Sequence, residues 1–389
     1  RRSGAAVKTS GRLAGLLVTG LVIALTLGLP VTAQAALHTK PENCYAGIDE
    51  TQARRCVLVE GRPGQPVVVL FGDSHAMRLS YGVAKVAEQH GFRLILISKS
   101  GCPAQTINVN TRKGERYWQC TEWRQSALRL IDSIHPTAVI THSTYLYGAL
   151  DIMLDSAWSS VPDASEAAAW EAGAAATLER LRGSAAQVLS IRDTPVLGYL
   201  QFACLKPQGA SGECGATVAE AVPQQALDFW AADSRQALAR GVRTLDLNEW
   251  FCDDGFCSPW TKKGVVRFSD GDHLTEPFAK TLYKPLAAGL REVLPLAPSP
   301  VRSLRITGKG QNTTLKWRKP AVQGSAKVTE YRVSLTPRGS SNRRAGKASC
   351  RTPATRCRIH EKLSGDYRIR IRAVSSAGLS PQLLQNHRF

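Results

Sequence analysis

The chain has 389 residues, 50 Lys and Arg against 31 Asp and Glu, a formal net charge of +19, and 43% hydrophobic residues. That length accommodates a targeting segment and two domains, and the apolar content excludes a chain disordered by composition. The charge is uneven: from Pro300 to Phe389 there are 20 Lys and Arg against 3 Asp and Glu, so the basicity belongs to the C-terminal part.

Arg1, Arg2, Lys8 and Arg12 precede an apolar run from Leu13 to Leu29, followed by Pro30 and by Ala33-Gln34-Ala35 before Ala36. A charged region, an apolar region and an A-x-A site in that order predict a secretory signal peptide over residues 1–36, cleaved after Ala35. The competing reading is a terminal transmembrane helix, either retained or closing a longer membrane protein. An apolar run of 17 residues is near the lower limit for a span. Either reading puts residue 37 onward outside the cytoplasm, secreted or extracytoplasmic.

From Gln65 to Leu294 strand-like and helix-like stretches alternate. Strands are expected at 67–71, 93–97, 137–141, 195–200 and 242–247. Helices are expected at 77–89, 121–133, 165–182, 225–239 and 276–292. Such alternation over 37–294 predicts an α/β domain: a five-stranded parallel sheet with helices on both faces, in a three-layer flavodoxin-like arrangement. Ligands of such sheets bind beyond the carboxyl ends of the strands.

Two motifs in this domain carry chemistry. In Val67-Val68-Val69-Leu70-Phe71-Gly72-Asp73-Ser74-His75 an apolar strand stops at a glycine and presents a serine where a helix begins. In Asp270-Gly271-Asp272-His273-Leu274-Thr275 one turn carries an imidazole and a carboxylate three residues apart. A serine hydroxyl is a poor nucleophile until an imidazole can take its proton, and the imidazole needs a partner on its other nitrogen. Ser74, His273 and Asp270 supply that set. Asp272 is expected to be solvated or capping, Asp73 to brace its turn, and His142 to be structural. Trp118 and Trp123 are expected in core packing.

Leu294 to Pro300 is rich in proline and predicts a linker over 295–300. Over 301–389 the period changes to two, as in Tyr331-Arg-Val333-Ser-Leu335 and Tyr367-Arg-Ile369-Arg-Ile371-Arg-Ala373. That predicts an all-β domain with Arg368, Arg370 and Arg372 on one face and Ile369 and Ile371 on the other.

The first domain resembles the SGNH (GDSL-type) hydrolase superfamily, in particular the extracytoplasmic SGNH domain of bacterial O-acyltransferases fused to acyltransferase-3 membrane domains. Leu70 to Ala76, Ser98 to Pro103, Leu245-Asp246-Leu247 with Phe251-Cys252, and Asp270 to Thr275 carry the likeness. The C-terminal part resembles a fibronectin type III sandwich, through Trp317, Tyr331 and the Leu363-x3-Tyr367 corner. The resemblance implies Ser74 as nucleophile, His273 as base and Asp270 as third member. One block departs from it. Many SGNH enzymes carry an Asn after the third strand that helps bind the oxyanion; here Val139-Ile-Thr-His-Ser-Thr-Tyr145 has none. The backbone N–H groups of Ser74 and Gly101, and the Ser143 side chain, are the donors expected instead. His75 and Lys99 are candidate substrate contacts: His75 meets an acceptor sugar or is a structural side chain in the first helical turn, and Lys99 meets an anionic group or is simply solvated.

Ten cysteines fall into near neighbours: Cys44/Cys56, Cys102/Cys120, Cys204/Cys214, Cys252/Cys257 and Cys350/Cys357. In an exported chain these suggest disulfides, the pairings being assigned by proximity. A zinc site is the competing reading, for which no CxxC pair or clustered His is present.

The resemblance implies an O-acyltransferase or an ester hydrolase, with acetyl as the acyl group and no metal or bound cofactor. An envelope polysaccharide or other O-acyl glycan would be the partner, and a membrane acyltransferase the acyl donor. The triad serves transfer and hydrolysis alike, so an SGNH carbohydrate or lipid esterase is the first alternative. A catalytically silent wall-binding or adhesion protein is the alternative of another class. The basic C-terminal face is either solvated or binds anionic wall polymer; nucleic acid is not expected for an exported chain.

Overall fold

The structure, a computed structural model, describes residues 38–149, 153–197, 214–308, 310–339 and 346–389. The expected signal peptide or transmembrane segment lies outside the described residues. Among the described residues no helix is long and apolar enough to cross a membrane.

The first domain is built on a seven-stranded sheet. Its strands are β1 (Tyr45–Ala46), β2 (Cys56–Val59), β3 (Val67–Gly72), β4 (Arg93–Lys99), β5 (Ala138–His142), β6 (Gln187–Ile191) and β7 (Arg243–Leu245), in the order β1-β4-β3-β5-β6-β7, with β2 against β4. The five strands β4, β3, β5, β6 and β7 run parallel. They form the expected parallel core, and in chain order they read 2-1-3-4-5. The sheet is larger than the five strands expected: the two-residue β1 adds a short parallel strand and β2 an antiparallel one.

Helices α1 (Ser74–His90), α2 (Trp118–Ile134), α3 (Asp163–Ser184), α4 (Gln224–Ala239), α5 (Glu276–Thr281) and α6 (Tyr283–Arg291) cover this sheet. Successive strand residues point to opposite faces. Accordingly Leu70 packs with Leu79, Val83, Phe278 and Leu286 of α1, α5 and α6. Its neighbour Phe71 packs with Trp123, Leu178 and Phe229 of α2, α3 and α4. Both residues are fully buried, which is why β3 reads as a continuous apolar run rather than an alternating one.

Two elements differ from expectation. The fourth core strand is Gln187–Ile191, not 195–200; residues 195–197 are irregular and 198–200 lie outside the described residues. Pro195 has no N–H to give a ladder, and the true strand follows α3 after two residues. The helix expected over 276–292 is two helices joined at Leu282, the second with Pro285 in its first turn, where a missing N–H costs nothing.

The second domain has two antiparallel sheets. One holds β8 (Arg302–Thr307), β9 (Thr313–Arg318) and β12 (Arg356–Ile359); the other holds β10 (Glu330–Pro337), β11 (Ala348–Thr352), β13 (Asp366–Ser375), the short pair Gly378–Leu379 and β14 (Leu383–Arg388). Leu315, Trp317, Tyr331, Val333, Ile369 and Ile371 fill the space between them, an arrangement consistent with a fibronectin type III-like sandwich. Trp317 meets Tyr331 edge-on at 5.4 Å, and the Tyr367 hydroxyl donates to Gly346 O at 3.0 Å.

The proline-rich segment is not an exposed tether. Leu296, Ala297 and Ser299 are buried. Ser325 ties it to the second domain through its N–H to Leu296 O (2.9 Å) and its hydroxyl to Leu294 O (3.0 Å). His90 of α1 donates from Nδ1 to Ala297 O at 2.5 Å, and Arg62 donates to Ser380 O at 2.8 Å. Prolines here remove N–H groups that burial would otherwise orphan.

Disulfides join Cys44–Cys56, Cys102–Cys120, Cys252–Cys257 and Cys350–Cys357, as expected. Cys214 is disulfide-bonded as well, and Cys204, its expected partner, lies outside the described residues.

Candidate active site

Strand β3 ends at Gly72, where a Cβ would lie 1.8 Å from His142 O; only glycine lets β3 and β5 approach this closely. Asp73 then caps α1: its Oδ1 accepts the His75 N–H at 2.9 Å. Its Oδ2 accepts the Thr144 N–H (2.9 Å) and the Tyr147 hydroxyl (3.0 Å), bracing the turn against the segment after β5. Ser74 is the first residue of α1, so its N–H is among those the helix cannot pair.

The second motif is a turn organised by Asp270. Its Oδ1 accepts the backbone N–H groups of Asp272 (3.1 Å) and His273 (2.7 Å). Its Oδ2 lies 2.9 Å from His273 Nδ1, and His273 Nε2 lies 2.8 Å from Ser74 Oγ. Residues 199 positions apart thus stand in hydrogen-bond contact, in the order hydroxyl, imidazole, carboxylate. With Nδ1–H donating to Asp270, Nε2 is free to receive the serine proton.

Asp272 is not solvated. It is buried, with Oδ1 3.0 Å from His273 Nδ1 and Oδ2 3.7 Å from His75 Nε2. Burial alone would raise its carboxyl, but the His273 ring against it and the charge of the two histidines hold it far below the ordinary range. Asp270 is likewise held low against its burial, chiefly by His273. Burial pulls the His273 imidazole down, yet the hydrogen bonds to Asp270 and Asp272 outweigh it and keep the ring above its ordinary value.

His75 borders the cleft beside Ser74 and His273 but gives it little surface. Its side chain is 3% exposed, and its Nδ1 is paired with Asp193 Oδ1 at 2.6 Å. Asp193 lies on the loop after β6, two residues past the strand end at Ile191, and with a strand expected at 195–200 its place beside a strand's carboxyl end is not legible in the sequence. Lys99, by contrast, does not face a substrate anion. It is fully buried, and its Nζ donates to Gly47 O, to Ile48 O (2.7 Å) and to Glu50 O (2.7 Å). Burial lowers it to about 8, against the opposing pull of Glu50 and Asp49.

Ser143 is no oxyanion donor. It is buried, and its hydroxyl accepts the Ala104 N–H at 2.9 Å, holding the loop after β4. The next residue, Thr144, lines the cleft instead. Gly101 lines the cleft too, at φ 54°, a left-handed conformation natural to glycine. His142 is structural as expected, buried with Nδ1 3.2 Å from Ile191 O. Trp123 is in the core against Phe71, whereas Trp118 is half-exposed.

Ser74 and His273 open onto a cleft of about 630 Å³. Tyr45, Tyr117, Tyr147, Leu146 and Ile48 form apolar walls, and Asn110 to Lys113 with Asp49 add polar and charged groups. That volume lies within the range of clefts that bind small molecules. Among the described residues two groups of side chains have the elements of a metal site: His75, His142 and Asp193, and His75, Asp272 and His273. In both, His75 Nδ1 is already paired with Asp193, and in the second His273 Nε2 is already against Ser74.

Residues 41–288 match the family described as "SGNH domain (fused to AT3 domains)". No curated protein sequence matches the chain. Among solved structures, the periplasmic domain of a lipopolysaccharide acetyltransferase from Salmonella ser. Paratyphi A aligns at 12% identity and TM-score 0.45, over 59% of this chain and 85% of that one. The sixth fibronectin type III domain of human fibronectin type III domain containing protein 3 aligns at 20% identity and TM-score 0.20, over 24% of this chain and 85% of that one.

Proposed function

The chain belongs to the family of SGNH domains fused to AT3 domains, and from that premise we propose that it is an exported serine acyl-transfer enzyme that O-acetylates cell-envelope polysaccharide. The observation that carries this reading is the contact of Ser74, His273 and Asp270 at the floor of an open cleft.

In the first half-reaction, Ser74 Oγ attacks the acyl carbonyl carbon while His273 Nε2 takes its proton. The oxyanion faces the Ser74 and Gly101 N–H groups. Collapse breaks the bond to the leaving alkoxide, which takes the proton from His273 and leaves an acyl-Ser74 ester. In the second half, a glycan hydroxyl gives its proton to His273 and attacks the ester. Collapse transfers the acyl group, and the proton returns to Ser74. Water in place of the glycan gives hydrolysis by the same steps. The tyrosine-walled cleft favours an acceptor ring over water alone.

For the basic domain we propose attachment to anionic wall polymer. Across three antiparallel strands Arg351 stands opposite Arg332, and Arg332 opposite Arg372. Like charges directly opposite destabilise a sheet, so such a row is better accounted for by binding than by folding. Within this domain Arg332 Nε pairs with Glu330 at 2.7 Å.

The test is acetyl release from p-nitrophenyl acetate by the full chain and by Ser74→Ala, with an acceptor oligosaccharide present. Release that depends on Ser74, with acetylated sugar among the products, is expected. Release without acetylated sugar would make the enzyme an esterase, and no release above the variant would sink the catalytic reading.

A further inference from the structure

Behind the three residues just described lies a second set of charges that the proposed mechanism does not use. His75 is buried with carboxylates around it. Asp193 Oδ1, from the loop after β6, is 2.6 Å from Nδ1; Asp272 Oδ2, from the turn before α5, is 3.7 Å from Nε2; Asp73, in its own turn, caps its N–H at 2.9 Å. His142, from the end of β5, has its ring 6.2 Å away, and the His273 ring is 5.2 Å away. Arg192, adjacent to Asp193, pairs with Asp246 instead at 2.6 Å. Among the described residues no ion pair brings a Lys or Arg to Asp73, Asp193, Asp270 or Asp272. His75 Nε2 has no hydrogen-bond partner among the described residues and is aimed at Asp272.

The arrangement poses an electrostatic problem. Asp270 and Asp272 both lie at about hydrogen-bond distance from one proton, that on His273 Nδ1, at 2.9 and 3.0 Å. One carboxylate orients an imidazole base and stabilises its charged form. Two uncompensated carboxylates stabilise that form too far, and a base that keeps its proton at neutral pH cannot take the one on Ser74.

We propose that His75 is a positioning residue: a buried imidazolium, fixed by Asp193, that neutralises Asp272 and so keeps His273 basic enough to orient yet weak enough to cycle. Four carboxylates around the pair then face two positions for positive charge, one permanent on His75 and one that appears on His273 during the reaction. Burial opposes the charge on His75, but Asp193, Asp272 and Asp73 together outweigh it and hold the ring well above its ordinary value. Burial keeps His142 below its ordinary value, so it stays neutral and does not compete. Asp193 is itself held low by His75, against its burial.

The proposal rests on His273 being the base, and its test is read separately from turnover. The imidazole protons and nitrogens of His75 and His273 are titrated by NMR in the full chain, a measurement that needs no activity. In the wild type His75 is expected to stay protonated throughout the range in which His273 titrates. In His75→Gln the His273 titration is expected to move up by about one pH unit, and the acid limb of kcat/KM for an aryl acetate to move with it. In His75→Gln/Asp272→Asn, with the cation and its carboxylate both gone, it is expected to return toward the wild-type position. Asp193→Asn, which releases the His75 proton, is expected to act as His75→Gln does. If His75 loses its proton before His273 does in the wild type, the proposal fails whatever the variants do. It fails equally if His75→Gln lowers activity and leaves the His273 titration in place. A Ser74→Ala enzyme with undiminished turnover would instead remove the reading of His273 as base, leaving the titration result standing.

Discussion

Asp272 holds one carboxylate oxygen 3.0 Å from His273 Nδ1, beside the Asp270 oxygen at 2.9 Å, so the imidazole has two acid partners rather than one. In a triad with one carboxylate, replacing it by an amide costs about 10⁴-fold in kcat because the wrong tautomer forms. Here Asp270→Asn leaves Asp272 to accept the same proton. A loss of about 10- to 100-fold is expected, a smaller one for Asp272→Asn, and about 10⁴-fold for the double variant. Steady-state kcat for an aryl acetate in the three variants checks this. A full loss in Asp270→Asn alone would show that Asp272 does not substitute.

Lys99 is predicted to matter for stability and not for chemistry. Its ammonium satisfies the carbonyls of Gly47, Ile48 and Glu50, and so staples the segment after β1 to the end of β4. Lys99→Met leaves buried carbonyls unpaired, at a cost of about 1–3 kcal/mol for each that water cannot reach. Denaturant unfolding is expected to show a clear loss. At temperatures where the variant is folded, KM for a neutral ester should stay within about twofold, since no substrate group meets this side chain.

His90 makes stability depend on pH at the junction of the two domains. Burial lowers its pKa despite the bond to Ala297, so the folded ring stays neutral where the unfolded one takes a proton. Below the ordinary value of 6.5 the unfolded state binds more protons. The contribution of His90 is therefore present above about 6.5 and lost as pH falls toward its folded value. His142 shifts the same way, while His75 and His273, both raised, act in the opposite sense. The fall in melting temperature between pH 7 and pH 5 is expected to be smaller in His90→Gln, which keeps an N–H for Ala297 and cannot charge. An unchanged fall would assign the acid sensitivity elsewhere.

The arginine row predicts a salt-sensitive interaction confined to the second domain. On an immobilised polyanion such as heparin, the triple variant Arg332→Ser/Arg351→Ser/Arg372→Ser is expected to elute at clearly lower salt than the parent. Acyl release should not change, because none of the three lines the cleft. Equal elution would mean that retention follows net charge and not this row.

The sequence by itself determined the elements whose cause is local. An apolar run of period one, a glycine and a capping Asp73 set the strand-to-helix turn that presents Ser74. An aspartate three residues before a histidine made the Asp270 turn, because both backbone and side-chain bonds lie within that span. Period-two stretches gave the strands of the second domain, and near-neighbour cysteines the pairs seen among the described residues.

Tertiary structure alone decided the rest. Gln187–Ile191 supplies the fourth core strand while the apolar segment 195–197 stays irregular, because a ladder needs N–H groups and a partner edge, which composition does not report. Asp193 reaches His75 from 118 positions away, and Lys99 finds three carbonyls about 50 positions earlier. Burial turned Lys99 from a candidate substrate contact into an internal charge, set His75 against Asp193, and turned Asp272 from a solvated neighbour into a second partner of the base. Whether a polar side chain meets solvent or a counter-charge depends on what the fold brings opposite it, and no residue carries that information in its own neighbourhood of the chain.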